Sequence, residues 1–178
     1  MARKPGPVLL GGRGLQRRNA VYEQAAGKTA NAVPAVYREP ERAARIALIA
    51  GSFERLLGRS LVTGNDPVAA LWHAPFAVVA HGTEADPLFF FGNAQALAAF
   101  ESDLAAFVGM PSRHSAEAPL REERQALLDR VTAHGFIDDY AGVRISAKGR
   151  RFRIGPAVVW NLVEGDGTCH GQAATFTL

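Results

Sequence analysis

Sulfur is almost missing from this chain: its 178 residues include one cysteine, Cys169, and two methionines. A lone thiol excludes an internal disulfide and any zinc cage built from cysteines. It fits a reducing, intracellular setting. Long apolar runs are missing too. No segment approaches the ~20 consecutive apolar residues of a spanning helix, so a soluble, cytoplasmic protein with no membrane partner is expected. The first forty residues contain no serine and no apolar stretch of the signal-peptide kind. That argues against an organelle transit peptide and against an export signal. Catalytic signatures are absent as well, with no Gly-x-Ser-x-Gly elbow and no His-Glu-x-x-His helix. Gly11-Gly12-Arg13-Gly14 lacks the preceding strand and the lysine of a phosphate-cradling loop.

What is present is an ordinary globular balance, 48% hydrophobic and 21% charged residues, enough to bury a core. The net charge of +3 is unevenly placed. Residues 1–40 hold seven Lys/Arg against two Glu, while residues 41–178 hold thirteen against fifteen Asp/Glu. The basic excess therefore sits in the first forty residues, and a nucleic-acid partner for the folded part loses its electrostatic support. Rich in Pro, Gly and scattered Arg, residues 1–39 read as a flexible basic arm, a solvated extension. Residues 40–178 read as a single domain.

The domain opens with helical signals. Pro40 suits a first helical position, Glu41 complements the helix N-terminus, and Ala43, Ile46, Ala47, Ala50, Phe53, Leu56 and Leu57 recur at three- and four-residue spacing. This predicts an amphipathic helix over 41–57, ended by Gly58. Asp66-Pro67 starts a second over 67–73. The period then shortens. Residues 76–81 and 88–91 read as two strands joined by the polar turn Gly82-Thr83-Glu84-Ala85-Asp86-Pro87. Asn93 and Ser102 cap short helices, Pro111 to Ser115 form a loop, and a helix runs from about 120 to 134 with Leu127, Leu128 and Val131 inward. The last third is β. Val143 and Ile145 alternate with Arg144 and Ser146; Phe152, Ile154, Val158, Trp160 and Leu162 fall on even positions, hence one face; and 168–176 closes the sheet. The expected class is α+β, with a five-stranded antiparallel sheet, a helical layer between strands two and three, and an N-terminal flanking helix.

That order resembles the PAS fold. The blocks Ala74-Pro75-Phe76 and His81 to Pro87 resemble bacterial members of the MEKHLA domain family. So do Pro111-Ser112-Arg113, Gly135-Phe136-Ile137-Asp138-Asp139-Tyr140, Gly142 to Ser146, Gly149 to Phe152, Val159-Trp160-Asn161-Leu162 and Gly171-Gln172-Ala173-Ala174. The resemblance covers roughly residues 45–178. In plants the family is similar to PAS domains and sits at the C-terminus of homeodomain–leucine-zipper regulators. The resemblance implies a PAS-like sensory, regulatory or protein-interaction module, non-catalytic and without a settled set of catalytic residues. This chain has no homeodomain and no heptad zipper, so DNA binding does not carry over.

Several side chains are candidates for more than packing. His81, Glu84 and Asp86 fall within six residues, and His73 lies just before them. An imidazole with carboxylates can bind a divalent metal or move protons, which makes a small-molecule enzyme or metal-binding protein the alternative reading. Against it stands a hairpin turn whose polar side chains satisfy backbone donors. Ser112, His114 and Ser115 read as capping residues. A haem ligand at His134 rests on one helix-end histidine. Flavin photochemistry needs a cysteine on a mid-domain helix, whereas Cys169 is on the last strand, and no cofactor is expected. Arg150, Arg151 and Arg153 read as a solvated strand face before a phosphate grip. If the PAS-like arrangement leaves a pocket between sheet and helices, Phe90, Tyr140, Trp160, Asn161 and Gln172 are its candidate lining, with Trp160 beside Gln172 the first place to look. Trp160 and Asn161 are adjacent and cannot share a face. The apolar stripe of the helix over 41–57 must be covered, either by the sheet or by a second copy, and a homodimer is expected.

Overall fold

In the computed structural model, residues 32–116 and 121–178 are described. Of the expected arm over residues 1–39, residues 1–31 lie outside them. A proline at the first helical position and Glu41 in the first turn start α1, Pro40–Leu57. Gly58 stops it in the left-handed conformation (φ 69°), its N–H returning to the Glu54 carbonyl. The carboxylate of Asp66 accepts the Ala69 N–H and caps α2, Pro67–Trp72. Two strands follow, β1 over Ala77–His81 and β2 over Phe89–Gly92. Asn93 and Asp103 then cap the short helices α3, Ala94–Ala99, and α4, Leu104–Phe107. The segment expected as a loop forms a 3-10 turn at Ser112–Ser115. The longer helix α5, Arg121–His134, leads into β3, Phe136–Ile145, β4, Arg151–Val163, and β5, Cys169–Phe176.

The strands form one sheet in the order β2-β1-β5-β4-β3, every neighbouring pair antiparallel. This is the expected architecture, with the helical layer between strands two and three. Both faces are covered. On one, which we call outer, Ile46, Ile49 and Phe53 of α1 pack with Leu71 and Trp72 of α2 on Val78, Ala80, Phe91, Trp160, Leu162 and Ala173. On the inner face, Ala96, Ala99, Phe100 and Phe107 pack on Ala77, Val79, Phe89, Phe152, Ile154, Ala157 and Phe176. Leu127 and Val131 of α5 cover Ile137 and Val159 beside them.

Three expectations change. First, the boundary at residue 39 moves. Ala35–Arg38 form a 3-10 turn ahead of α1, and Tyr37 is fully buried in the outer-face core, so the compact unit begins at Val33. Second, the even-numbered apolar residues of β4 do not share a face. Phe152 and Ile154 point inward, but Val158, Trp160 and Leu162 join the outer core while Ala157 and Val159 point inward. The cause is a bulge: Gly142 pairs with Ile154 and Tyr140 with Ala157, leaving an extra residue on β4 at Gly155-Pro156. One extra residue inverts every side chain beyond it. Third, the apolar stripe of α1 is covered by its own sheet, which removes the stripe as a reason for pairing with a second copy.

Candidate functional site

The bulge sets the inner face. Beyond it β4 turns Val159 and Asn161 inward, and Asn161 pairs with Gln172 of β5, which pairs in turn with His81 of β1. Before it, Arg144 of β3 lies opposite Phe152 and therefore points inward too. Polar side chains from four strands thus line a sheet face that is otherwise apolar.

Between this face and α5 lies a cavity of about 50 Å³. Val79, Phe89, Phe100, Leu127, Ile154 and Val159 give it apolar walls, and His81, Ser115, Tyr140, Arg144 and Gln172 supply its polar groups. Arg144 is 8% exposed. Its Nη1 donates to the Tyr140 hydroxyl at 3.0 Å and to the Val143 carbonyl at 3.0 Å, and the guanidinium lies 5.2 Å from the Tyr140 ring centroid. No carboxylate pairs with it among the described residues. Gln172 is the hub of a second polar group. Its Nε2 donates toward the Leu128 carbonyl (3.1 Å), the Thr132 hydroxyl (3.1 Å) and Asn161 Oδ1 (3.0 Å). Asn161 in turn donates to the Val131 carbonyl at 3.0 Å. These contacts tie α5 to the sheet. Outside them a vestibule of about 330 Å³ shares His81, Leu128 and Gln172 with the cavity.

The residues singled out from sequence divide between the two faces. Tyr140, Gln172 and His81 meet at the inner cavity. Asn161 stands beside Gln172 on the vestibule side. Trp160 and Gln172, expected together, point to opposite faces: Trp160 is fully buried under α1, its Nε1 donating to Ser52 Oγ at 3.1 Å and its ring 4.9 Å from Phe53. Phe90 is on the outer side as well, with the Arg45 guanidinium 3.8 Å above its ring, in an open groove of about 470 Å³ against α1. Arg144, the charged group of the cavity, is the residue that sequence reasoning passed over. The signal was there in the even-numbered run Tyr140, Gly142, Arg144, Ser146, masked by apolar Val143 and Ile145 between them.

His81, Glu84 and Asp86 do not converge. His81 Nδ1 lies 2.9 Å from the Gly82 carbonyl and the ring faces Phe89. The Glu84 carboxylate is held below its ordinary range by its own backbone N–H, by that of Leu88, and by the charges of Arg45 and His81. Asp86 forms an ion pair with Arg113 of the 3-10 turn. Among the described residues, no three His, Cys, Asp or Glu side chains form a group able to hold a metal ion. In the inner cavity larger cofactors fail on space, and the two candidate attachment residues lie outside its lining. A drug-sized ligand takes roughly 300 Å³ or more, Cys169 is exposed at the start of β5, and His134 is engaged with the Arg130 carbonyl at 2.8 Å on the exposed end of α5. That cavity does not fit a flavin or a haem.

The sequence profile of the MEKHLA domain matches residues 43–178. Among curated proteins the chain is similar to homeobox-leucine zipper protein HOX29 of Oryza sativa subsp. indica, 28% identical over 135 residues, covering 72% of this chain and 16% of that protein. It is also similar to HOX10 of the same subspecies, 25% identical over 142 residues, covering 77% and 17%. The chain thus spans only a small part of those relatives. Among solved structures it is similar to a PAS domain from Colwellia psychrerythraea, with TM-score 0.54 and 11% identity over 60% of this chain and 88% of that one. A variant of Vivid gives TM-score 0.51 and 13% identity over 73% and 98%, and the LOV protein of Rhodobacter sphaeroides gives 0.51 and 10% over 61% of each. These likenesses establish the PAS/LOV fold. No helix of the described residues is long and apolar enough to cross a membrane.

Proposed function

This chain belongs to the MEKHLA domain family, and from that premise we propose that it is a non-catalytic sensory or regulatory module whose inner cavity takes a small ligand and whose output is a protein contact. The observation that carries this reading is the cavity itself. It lies on the inner face of the sheet, is walled by apolar side chains with a few convergent polar groups, and shares His81, Leu128 and Gln172 with a neighbouring surface pocket. The rival reading, an enzyme or metal site at His81, Glu84 and Asp86, lacks a convergent donor set. The rice relatives carry their matched segment inside longer homeobox-leucine zipper proteins, and a module of this kind works by reporting to a neighbour. A second copy is one such neighbour. It would have to use a surface other than the α1 stripe, and Leu178 is the only large apolar side chain exposed among the described residues.

Fragment screening by ligand-observed NMR tests this on the full chain, with Ala174→Leu as the blocked control, because Ala174 lines the cavity. Fragments that bind the native chain and not the blocked one, and that slow amide exchange in α5, are the expected result. Fragments binding both chains equally would place the binding elsewhere and overturn the reading.

A further inference from the structure

Resting on that reading of the cavity as a ligand site, we propose that its ligand is a short-chain aliphatic carboxylate whose anionic head pairs with Arg144. A guanidinium taken out of water needs a partner of opposite charge. Arg144 is 8% exposed and faces an apolar cavity. Among the described residues only its Nη1 has hydrogen-bond partners, both neutral: the Tyr140 hydroxyl and the Val143 carbonyl. The remaining N–H groups of the planar fork match the two oxygens of a carboxylate in parallel, the geometry that arginine satisfies better than lysine.

Size and lining narrow the class. A volume of about 50 Å³ has room for roughly four water-sized centres, hence an anion of about four to six non-hydrogen atoms. The walls away from Arg144 are Val79, Phe100, Leu127, Ile154 and Val159. They suit a methyl or methylene tail. A phosphate monoanion or dianion needs several donors around all its oxygens, and those walls offer none. The Tyr140 hydroxyl already accepts from Arg144, so its own proton is free to turn toward the anion.

The test compares acids with neutral isosteres on the full chain. Acetate, propionate and butyrate are titrated against propionamide and 1-propanol, at ionic strength held constant with chloride, and followed by calorimetry and by the amide resonances of Tyr140, Gln172 and Ala174. Propionate is expected to bind at least about tenfold more tightly than propionamide, because a hydrogen bond to a charged group outweighs a neutral one. Arg144→Gln should erase that ratio, and Arg144→Lys should retain part of it. Should Arg144→Gln fail to fold by circular dichroism, the acid-to-amide ratio in the native chain still decides. Equal binding of propionate and propionamide would overturn the carboxylate assignment and leave the cavity as a site for neutral ligands. A panel in which no compound moves the three resonances would overturn the assignment and count against the cavity as a ligand site.

Discussion

Asn93 does more than its position before a helix requires. Its Oδ1 accepts the Ala96 N–H as an N-cap and also the Val78 N–H of β1, each at 3.0 Å. Its Nδ2 donates to the Leu71 carbonyl at 3.1 Å and the Phe76 carbonyl at 2.8 Å. One fully buried side chain thus joins α2, β1 and α3, and all four of its hydrogen-bonding positions are used. Truncation would leave the Val78 and Ala96 N–H groups and the Phe76 carbonyl without this partner, each costing about 1–3 kcal/mol where water cannot reach it, while the Leu71 carbonyl keeps the Ala74 N–H. Asn93→Ala is therefore expected to lower unfolding free energy by about 3–5 kcal/mol in urea titration. Asn93→Ser, which keeps only a capping oxygen, should recover about 1 kcal/mol of that. A loss below about 1.5 kcal/mol for Asn93→Ala would show that water replaces these bonds and that the network is not structural. Gly171 is a second position where one residue type is required: at φ 135° its missing Cβ would fall on the His81 carbonyl oxygen, between β1 and β5.

At the scale of elements, α5 differs from the other helices in how it is attached. α1 is held mainly by buried apolar side chains, with Trp160 donating to Ser52; α5 contributes Leu127, Leu128 and Val131 but also depends on the amides of Gln172 and Asn161, which donate to the Leu128 and Val131 carbonyls. Gln172→Ala removes the hub and leaves the sheet intact, so α5 should open more often than the rest. Amide exchange over 121–134 is expected to accelerate about tenfold, for a loss near 1.4 kcal/mol of local stability, while exchange in β1 and β5 stays unchanged. Uniform acceleration across the domain would mean that α5 is no separate unit. The same elements show what the sequence made legible. Helix starts at Pro40, Asp66 and Asn93 and the stop at Gly58 were readable because caps are local chemistry. The face of each strand was not. The alternation that grouped Trp160 with Phe152 holds only within a register, and the bulge opposite Tyr140 and Gly142 breaks that register through pairing with a distant strand. The same break sent Trp160 to the outer core and left Gln172 at the cavity. Arg144 escaped notice for a related reason, since a charge between two apolar residues reads as the solvent side until the partner strand is known.

For the whole molecule, the charged surface and the buried Tyr37 set the pH range of stability from opposite ends. Among the described residues, four carboxylates are held below their ordinary values of 3.8 for Asp and 4.5 for Glu. Asp66 is held by the Ala69 N–H and then Arg38, Glu84 by its own backbone N–H, Glu101 by the Ser146 hydroxyl and then Arg150, and Asp166 by the Thr168 N–H. Their contribution is complete above those ordinary values and is lost as pH falls through the lower folded ones. Tyr37 works in the other direction. Burial pushes its phenol from 10.0 up to about 12, against the smaller opposing pull of the Gly92 N–H donated to its oxygen. Its stabilisation is complete below pH 10 and is lost as pH rises toward 12, by up to about 2.7 kcal/mol for a shift of this size. Denaturant unfolding from pH 3 to pH 12 should therefore give a plateau between about pH 5 and pH 10 with a fall on each side. Tyr37→Phe separates the two limbs. It should be less stable than the native chain at pH 8, because the Gly92 N–H and carbonyl both lose the hydroxyl, and the gap should narrow by about 2 kcal/mol at pH 11.5. Glu101→Gln should soften the acid limb and leave the alkaline one unchanged. A gap between native and Tyr37→Phe chains that stays constant from pH 8 to pH 11.5 would mean that the phenol ionises as readily folded as unfolded, and that the turn carrying it opens to water before the domain does.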